Sequence, residues 1–179
     1  GDNLVFACSW CKNHASDDSI MIDMLVRLYD LPDVSGVCRD LEGRGVLIRK
    51  PGAYERHLVL NWVEETFSPK WVSETKVAFA RQPITCFIAT LNHQVIGFAC
   101  YDVTSRGFLG PMGVDPKLRM GGVGKALLVS ALNSLHELGY AYGIVGGVGP
   151  EDFYKKCVGA MPIEGSSPGI YRDILPEKA

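Results

Sequence analysis

A glycine-rich segment, residues 114–125 (VDPKLRMGGVGK), gathers the groups best able to hold a charged ligand. Its glycines lack Cβ atoms, so an anion can approach their backbone N–H groups closely. A long helix is predicted to begin here, and the N-terminus of a helix presents unpaired N–H groups and a positive dipole. Arg119 and Lys125 add positive charge at the rim. The segment therefore predicts a site for a phosphate or pyrophosphate group.

Three glycine-rich motifs compete for this segment, and residue spacing separates them. A Walker A loop requires Ser or Thr after its lysine, but Ala126 follows Lys125. A dinucleotide-binding fingerprint requires a third glycine, and Leu127 stands at that position. The pattern R-x-x-G-x-G is satisfied in full by residues 119–124 (RMGGVG).

The elements that must position this segment follow from hydrophobic periodicity and from turn residues. Residues 24–31 are compatible with a strand, and residues 33–43 with a loop. The remaining pattern predicts, in order, a strand at 46–49, helices at 53–67 and 68–80, an antiparallel meander of strands at 84–91, 94–103 and 107–114, a helix at 122–138, a strand at 140–145, a short helix at 150–158, and a final strand pair at 161–164 and 170–175.

Composition excludes several classes of protein. The chain has 179 residues, 47% hydrophobic and 21% charged, with a net charge of −2 and no long basic block, which argues against a nucleic-acid partner. The uncharged run 82–101 carries Asn92, His93 and Gln94 at its centre, so it predicts a hairpin and no membrane span.

The six cysteines favour reduced thiols and a cytoplasmic location, because several lie in apolar runs. Cys8, Cys11 and His14 have metal-ligand spacing but no second ligand pair follows them, so no metal is expected.

In this order of elements, the motif RMGGVG and the downstream segment 153–160 (FYKKCVGA) resemble the GCN5-related N-acetyltransferase (GNAT) superfamily. The resemblance covers about residues 45–175. It implies an α+β fold with a mostly antiparallel sheet of about seven strands flanked by about four helices. Residues 1–43 are then an N-terminal extension that adds one edge strand or packs over the domain, and residues 44–179 are the acetyltransferase domain.

The resemblance also implies acetyl-CoA as the acyl donor and a direct attack by a primary amine. Tyr154 matches the position of the general acid beside the sulfur of coenzyme A. Gly146 stands where members of the superfamily often have an Asn. The implied cofactor-binding residues are Met112, Gly113 and Val114 along the pantetheine arm, with a backbone N–H near Val114 polarising the thioester, and Arg119, Met120, Gly121, Gly122, Val123, Gly124 and Lys125 around the pyrophosphate.

The resemblance implies that the acceptor is a small-molecule amine or a peptide amine. Position within the superfamily nominates Trp62, Phe67, Trp71 and residues 163–170 as walls of the acceptor site. The acidic residues Glu65 and Glu164 are further candidates for this site. Acidic candidates for a general base are Glu64, Glu65, Asp102 and Glu164, and a water relay stays open because the strand 107–112 carries no carboxylate. The alternative function is a non-catalytic, CoA-binding regulatory module. A homodimer is compatible with either of these two functions.

Overall fold

The central feature of the fold is a seven-stranded mixed sheet. The computed structural model describes residues 21–118 and 120–175. The strands are β1 (Met24–Arg27), β2 (Val46–Arg49), β3 (Cys86–Leu91), β4 (Gln94–Tyr101), β5 (Phe108–Val114), β6 (Tyr142–Val145) and β7 (Met161–Pro162). The helices are α1 (Ser35–Gly43), α2 (Arg56–Thr66), α3 (Pro69–Phe79), α4 (Val123–Glu137) and α5 (Glu151–Val158).

The strand order is β2-β3-β4-β5-β6-β1-β7, and every neighbouring pair is antiparallel except β5 with β6. The meander β3-β4-β5 confirms the prediction of three consecutive antiparallel strands. The predicted α+β fold with a mostly antiparallel sheet is likewise confirmed, with five α-helices instead of about four.

Two hydrophobic clusters cover the two faces of the sheet. Along β4, Phe98 and Cys100 contribute to the cluster that includes α2 and α3, whereas Ala99 and Tyr101 contribute to the cluster that includes α4. This alternation is the period of two expected of a strand buried on both faces. The helices therefore pack on both sides of the sheet and fix the position of its central strands.

Helix α4 carries the strongest local signal in the chain. Leu128, Leu132 and Leu135 recur at helical spacing and are fully buried. Helix α3 begins in the way its sequence predicts, because the Ser68 side chain accepts a hydrogen bond from the N–H of Trp71 and Pro69 occupies the first turn.

The N-terminal part of the described chain differs from expectation in two ways. The strand β1 lies inside the sheet, between β6 and β7, and not at its edge. Residues 35–43 form helix α1 where a loop was predicted. The local signal for this helix is weak, since Gly36 lies in its first turn and Leu41 is its one fully buried side chain. Asp33 accepts a hydrogen bond from the N–H of Ser35 at 2.8 Å and so supports its start.

The predicted final strand pair is largely wrong. The strand β7 has two residues, because Pro162 has no N–H with which to extend the ladder. Residues 170–175 contain no strand. Gly169, at φ 55°, starts a single 3₁₀ turn that ends at Tyr171.

In the described part of the chain, none of the helices is long and apolar enough to cross a membrane. Four described cysteines are free thiols, namely Cys38, Cys86, Cys100 and Cys157. The three residues with metal-ligand spacing, Cys8, Cys11 and His14, and the predicted site residue Arg119 lie outside the described residues.

Candidate active site

The sheet opens between β5 and β6, which start side by side and then diverge. They pair in parallel only over residues 108–109 of β5 and 144–145 of β6. Immediately afterwards Gly110 and Pro111 lie opposite a single residue of β4, a β-bulge that bends the strand. Pro111 also has no N–H to donate to a neighbouring strand. The rest of β5, as far as Val114, forms no ladder with β6 among the described residues, and a cleft results.

This free edge of β5 presents two backbone N–H groups to the cleft. Asp115, the residue after β5, donates its N–H to the carbonyl oxygen of Ile96 at 2.8 Å and therefore faces β4. Successive residues of a strand direct their N–H groups to alternate sides. The N–H groups of Met112 and Val114 consequently point away from β4 into the cleft, and that of Gly113 points toward β4. Such groups can pair with an extended ligand chain or polarise a carbonyl oxygen.

A cavity of about 370 Å³ fills the cleft and continues to the surface of α3. Residues 109–113 of β5 form one wall, and residues 145–150, which join β6 to α5, form another. The other lining residues come from α3 and from four further segments: Met21, Lys70, Trp71, Ser73, Glu74, Thr104, Tyr154, Tyr171 and Ile174.

Tyr154 brings a phenol group to this cavity from α5. Its side chain is 8% exposed, and its ring makes an edge-to-face contact with Phe153 at 5.1 Å between centroids. Helix α5 begins beside the cavity. Glu151 and Asp152 in its first turn stabilise the positive end of the helix dipole, and Gly159, in the left-handed conformation, ends the helix. Tyr154 is therefore held in place with its ring against the cleft.

The N-terminus of α4 lies in the predicted glycine loop. Gly122 occupies the N-cap position at φ 96°, and none of the described side chains caps the first N–H groups of the helix. A Cβ atom on Gly122 would come 3.1 Å from Val37 of α1, so α1 packs closely on the loop. Arg44 donates a hydrogen bond to the carbonyl oxygen of Gly121 at 2.9 Å and forms an ion pair with Asp40 at 2.8 Å.

The structure brings part of the predicted cofactor-binding set to the cleft. Met112 and Gly113 line the cavity, and Val114 follows directly. In the loop, Gly121 is exposed and Gly122 and Lys125 are half-buried. Met120 packs against the core, while Val123 and Gly124 are buried within the first turn of α4.

The predicted acceptor residues fall into two groups. Trp62 and Phe67 are half-buried and belong to a cluster of rings with Trp71 and Phe98, with centroid separations of 4.8–6.0 Å. A Cβ atom on Gly113 would clash with the Phe67 ring, so this ring packs directly on β5. Trp71 lines the cavity, whereas Trp62 and Phe67 do not.

The predicted acidic residues of the acceptor site lie apart from the cavity. Glu65, near the end of α2, and Glu164, after β7, are exposed and do not line it. Asp102 is 3% exposed and accepts hydrogen bonds from the N–H of Gly107 at 2.7 Å and the hydroxyl of Tyr140 at 3.0 Å. The carboxylate of Asp102 is thus held by hydrogen bonds within the fold.

The carboxylate that does line the cavity is Glu74 on α3, which the sequence reasoning missed. Its side chain is half-buried, and its Oε1 accepts a short hydrogen bond from the hydroxyl of Thr104. Burial raises the pKa of Glu74 above its ordinary value, and the hydrogen bond from Thr104 partly opposes that shift. The sequence signal available was weak: a glutamate in a Ser-Glu-Thr run of an amphipathic helix is typical of a solvated face.

Gly146 leaves room for a side chain from elsewhere in the chain. A Cβ atom at this position would clash with the hydroxyl of Tyr171 and lie 2.9 Å from the ring of Phe108. The space that a longer residue would take is therefore filled by Tyr171, from the 3₁₀ turn after β7. Asp23 fixes the same loop, because its Oδ1 accepts a hydrogen bond from the N–H of Gly147 at 2.9 Å.

Within the described ranges, no group of three or more His, Cys, Asp or Glu side chains is arranged to hold a metal ion. The described lining of the cleft offers backbone N–H groups, hydroxyl groups, the Glu74 carboxylate and the Lys70 ammonium group. The free β5 edge, the glycines of the loop and the N-terminus of α4 fit an extended ligand that ends in phosphate groups.

Comparison with solved structures gives matches to the fold at low sequence identity. A GCN5-related glucosamine N-acetyltransferase region of a fungal multi-domain GH3 β-N-acetylglucosaminidase matches with a TM-score of 0.67 and 16% identity, over 82% of this chain and 20% of that one. A GCN5-related N-acetyltransferase from Sphaerobacter thermophilus matches with a TM-score of 0.61 and 18% identity, over 80% of this chain and 49% of that one. This chain thus spans a fifth to a half of the length of these relatives.

Comparison by sequence adds a family. No curated protein is similar enough in sequence to count as a match. The model of the Acetyltransferase (GNAT) family matches residues 56–159, which is more than half of the chain and includes α2 to α5. With this match, the fold and the geometry of the cleft in agreement, the chain belongs to the GNAT family of acetyltransferases.

Proposed function

We propose that the protein is an acetyl-CoA-dependent N-acetyltransferase that moves an acetyl group to a primary amine by direct attack. The observation that carries this proposal is the free edge of β5 with the N–H groups of Met112 and Val114 directed into a cleft that Tyr154 also lines. Membership of the GNAT family supports it. A cytoplasmic location and a homodimer remain proposals from the sequence.

Each part of the cleft has a role in this proposal. Acetyl-CoA supplies the activated thioester when bound. Met112 and Val114 pair through their backbone with the pantetheine arm, and one of their N–H groups donates to the thioester carbonyl oxygen, an interaction worth about 10²–10³ in rate. The loop 119–124 and the first N–H groups of α4 bind the pyrophosphate, with Arg119 and Lys125 adding charge.

Tyr154 is proposed as the general acid. Its phenol donates a proton to the departing thiolate of coenzyme A, and the amine nitrogen forms its bond to the acyl carbon as the carbon–sulfur bond breaks. A positioned general acid contributes roughly 10²–10⁴ in rate. Arg44 has a supporting role, since its bond to the Gly121 carbonyl holds the loop in shape.

The alternative is a CoA-binding module without catalysis, which would use the loop and the β5 edge but not Tyr154. The cavity favours the enzyme, because it continues past the β5 edge to α3 and leaves room beside the proposed thioester for a second substrate.

The test is the steady-state rate of acetyl transfer to a panel of primary amines by the wild type and by Tyr154→Phe. We expect the variant to lose roughly 10²-fold or more in kcat while its affinity for acetyl-CoA changes little. Tyr142→Phe is a matched control, because Tyr142 is 49% exposed at the start of β6 and does not line the cavity. Acetyl-CoA binding without transfer to any amine would favour the module.

A further inference from the structure

The cavity lining carries one charged side chain of each sign. Among its lining residues in the described part of the chain, Glu74 is the one carboxylate and Lys70 the one cation. Both lie on α3, one helical turn apart. The remaining walls are mainly apolar, including Trp71, Pro111 and Ile174. A ligand that enters from α3 therefore meets one carboxylate and one ammonium group in apolar surroundings.

The position of Glu74 is fixed by a partner from another element. Thr104, in the turn between β4 and β5, donates its hydroxyl hydrogen to Oε1 of Glu74 and also lines the cavity. In the described chain no cationic partner of Glu74 lies within ion-pair distance. Burying a carboxylate without a cationic partner costs free energy, which a cationic ligand can offset.

We propose that Glu74 binds the ammonium group of the acceptor and accepts its proton, so that the acceptor is a cationic primary amine on an apolar body. This inference rests on the proposed acetyltransferase function and names its acceptor class. Thr104 is a positioning residue, because it acts by orienting the Glu74 carboxylate.

The proton and electron balance of the step is simple. One N–H proton of the acceptor ammonium moves to a carboxylate oxygen of Glu74, which leaves a lone pair on nitrogen. That pair forms the nitrogen–carbon bond to the acyl carbon, the carbon–sulfur pair passes to sulfur, and sulfur takes the proton of Tyr154. The proton on Glu74 and one further amine proton return to solvent, and solvent reprotonates Tyr154.

The groups that face Glu74 do not take over this role. Lys70 lies one turn away on α3, the buried Cys100 of β4 is near enough to be affected by the charge of Glu74, and the phenols of Tyr154 and Tyr171 line the same cavity. Burial raises the pKa of the Cys100 thiol well above its ordinary value, so it stays neutral in this environment. Burial likewise raises the pKa of Glu74, which makes its carboxylate a better proton acceptor than a solvated one.

The test compares two acceptors in wild type and Glu74→Gln: an alkylamine that is protonated at neutral pH, such as 2-phenylethylamine, and an arylamine that is already neutral, such as aniline. For the alkylamine, kcat/KM should fall roughly 10²-fold, and the acidic limb of its pH profile should disappear. For the arylamine the fall should be less than about tenfold, because no proton needs to be removed before attack. Thr104→Val should give an intermediate loss with the alkylamine, and Thr104→Ser should restore the rate.

Glu137→Gln is the matched control, since Glu137 is exposed at the far end of α4, and its kinetics should equal those of the wild type. Equal losses for both amines, or an unchanged alkylamine rate in Glu74→Gln, would overturn this inference while the acetyltransferase function stands. Absence of transfer by the wild type to every amine would overturn the function, and this inference with it.

Discussion

Two carboxylates near the turn between β4 and β5 are removed from water in different ways. Asp102 is 3% exposed, accepts hydrogen bonds from Gly107 and Tyr140, and has the guanidinium groups of Arg81 and Arg106 each at 3.6 Å. Glu74 is half-buried in a cavity wall and has the hydroxyl of Thr104 as its partner.

The difference separates a structural carboxylate from one available for chemistry. The partners of Asp102 come from three parts of the chain and satisfy the carboxylate, so it ties together the ends of α3, β4 and β6. Glu74 is desolvated with little compensation, and its raised pKa is the consequence. Burial alone therefore does not identify a functional acid, whereas burial beside a cavity with one partner makes a carboxylate a candidate for one.

The largest expected effect in this comparison is on stability, from Asp102→Ala. The substitution leaves the buried N–H of Gly107 and the hydroxyl of Tyr140 without their acceptor, and Asp102 itself is at φ 58°, where Ala is disfavoured. We expect the free energy of unfolding to fall by about 3 kcal/mol, measured by urea denaturation.

Two variants calibrate this result. Asp102→Asn keeps an acceptor and tolerates the backbone conformation, so it should lose clearly less stability than Asp102→Ala. Asp30→Ala removes an exposed carboxylate and should change the free energy of unfolding by less than about 0.5 kcal/mol. If Asp102→Ala resembled Asp30→Ala, the structural role assigned to Asp102 would be wrong.

A third carboxylate, Glu55, is expected to affect stability less than Asp102 and more than Glu74. Arg49 donates two hydrogen bonds to it, at 2.6 and 2.7 Å, and this pairing lowers the pKa of Glu55 from its ordinary 4.5 to about 2. A lowered carboxyl pKa means that the folded state binds the proton less tightly than the unfolded state does. The pairing of Glu55 with Arg49 therefore contributes its full stability above pH 4.5, and this stability is lost as the pH falls toward 2.

Glu55→Gln should therefore be less stable than the wild type at pH 6, and the difference should shrink by pH 3. Because Arg49 is 41% exposed, we expect a difference of no more than about 1 kcal/mol at pH 6. The measurement is urea denaturation at both pH values, and a difference that grows on acidification would contradict the assignment.

The smallest effect is the stability of Glu74→Gln, and its sign opposes the other two. Because the pKa of Glu74 is raised in the folded state, the free energy of unfolding falls as the pH rises past the ordinary pKa of the carboxyl group. It stops falling once the pH is above the raised pKa. Gln removes the charge, so the variant should be more stable than the wild type at neutral pH by about 0.5 kcal/mol, with no gain at pH 4. Thermal unfolding at the two pH values checks this, and a loss at neutral pH would show that Glu74 stabilises the fold like Asp102.

The sequence predicts the elements that depend on local patterns. Helix α4 follows from leucines at helical spacing, the loop before it at residues 120–122 from Gly121 and Gly122, and the meander from the turn at Asn92 and His93. Each is encoded within a window of some fifteen residues, where periodicity and turn chemistry act directly. The position of β1 is different, since pairing with β6 and β7 joins residues more than a hundred positions apart in sequence.

The site is predictable only in part for the same reason. The N–H groups of β5 and the phenol of Tyr154 lie in or beside recognisable motifs. The role proposed for Glu74 depends on its placement opposite Thr104 and the β5 bulge, which no local pattern encodes. The exposed Glu65 and Glu164 carry the same charge in sequence and lack that environment.

Calorimetric titration of the folded protein with acetyl-CoA, with NAD and ATP as controls, tests the central claim most directly. The account predicts saturable binding of acetyl-CoA with one site per chain, no comparable binding of NAD or ATP, and weakened binding in Arg119→Glu, because a negative charge then replaces a positive one beside the pyrophosphate. A folded protein that binds no acetyl-CoA would contradict the account.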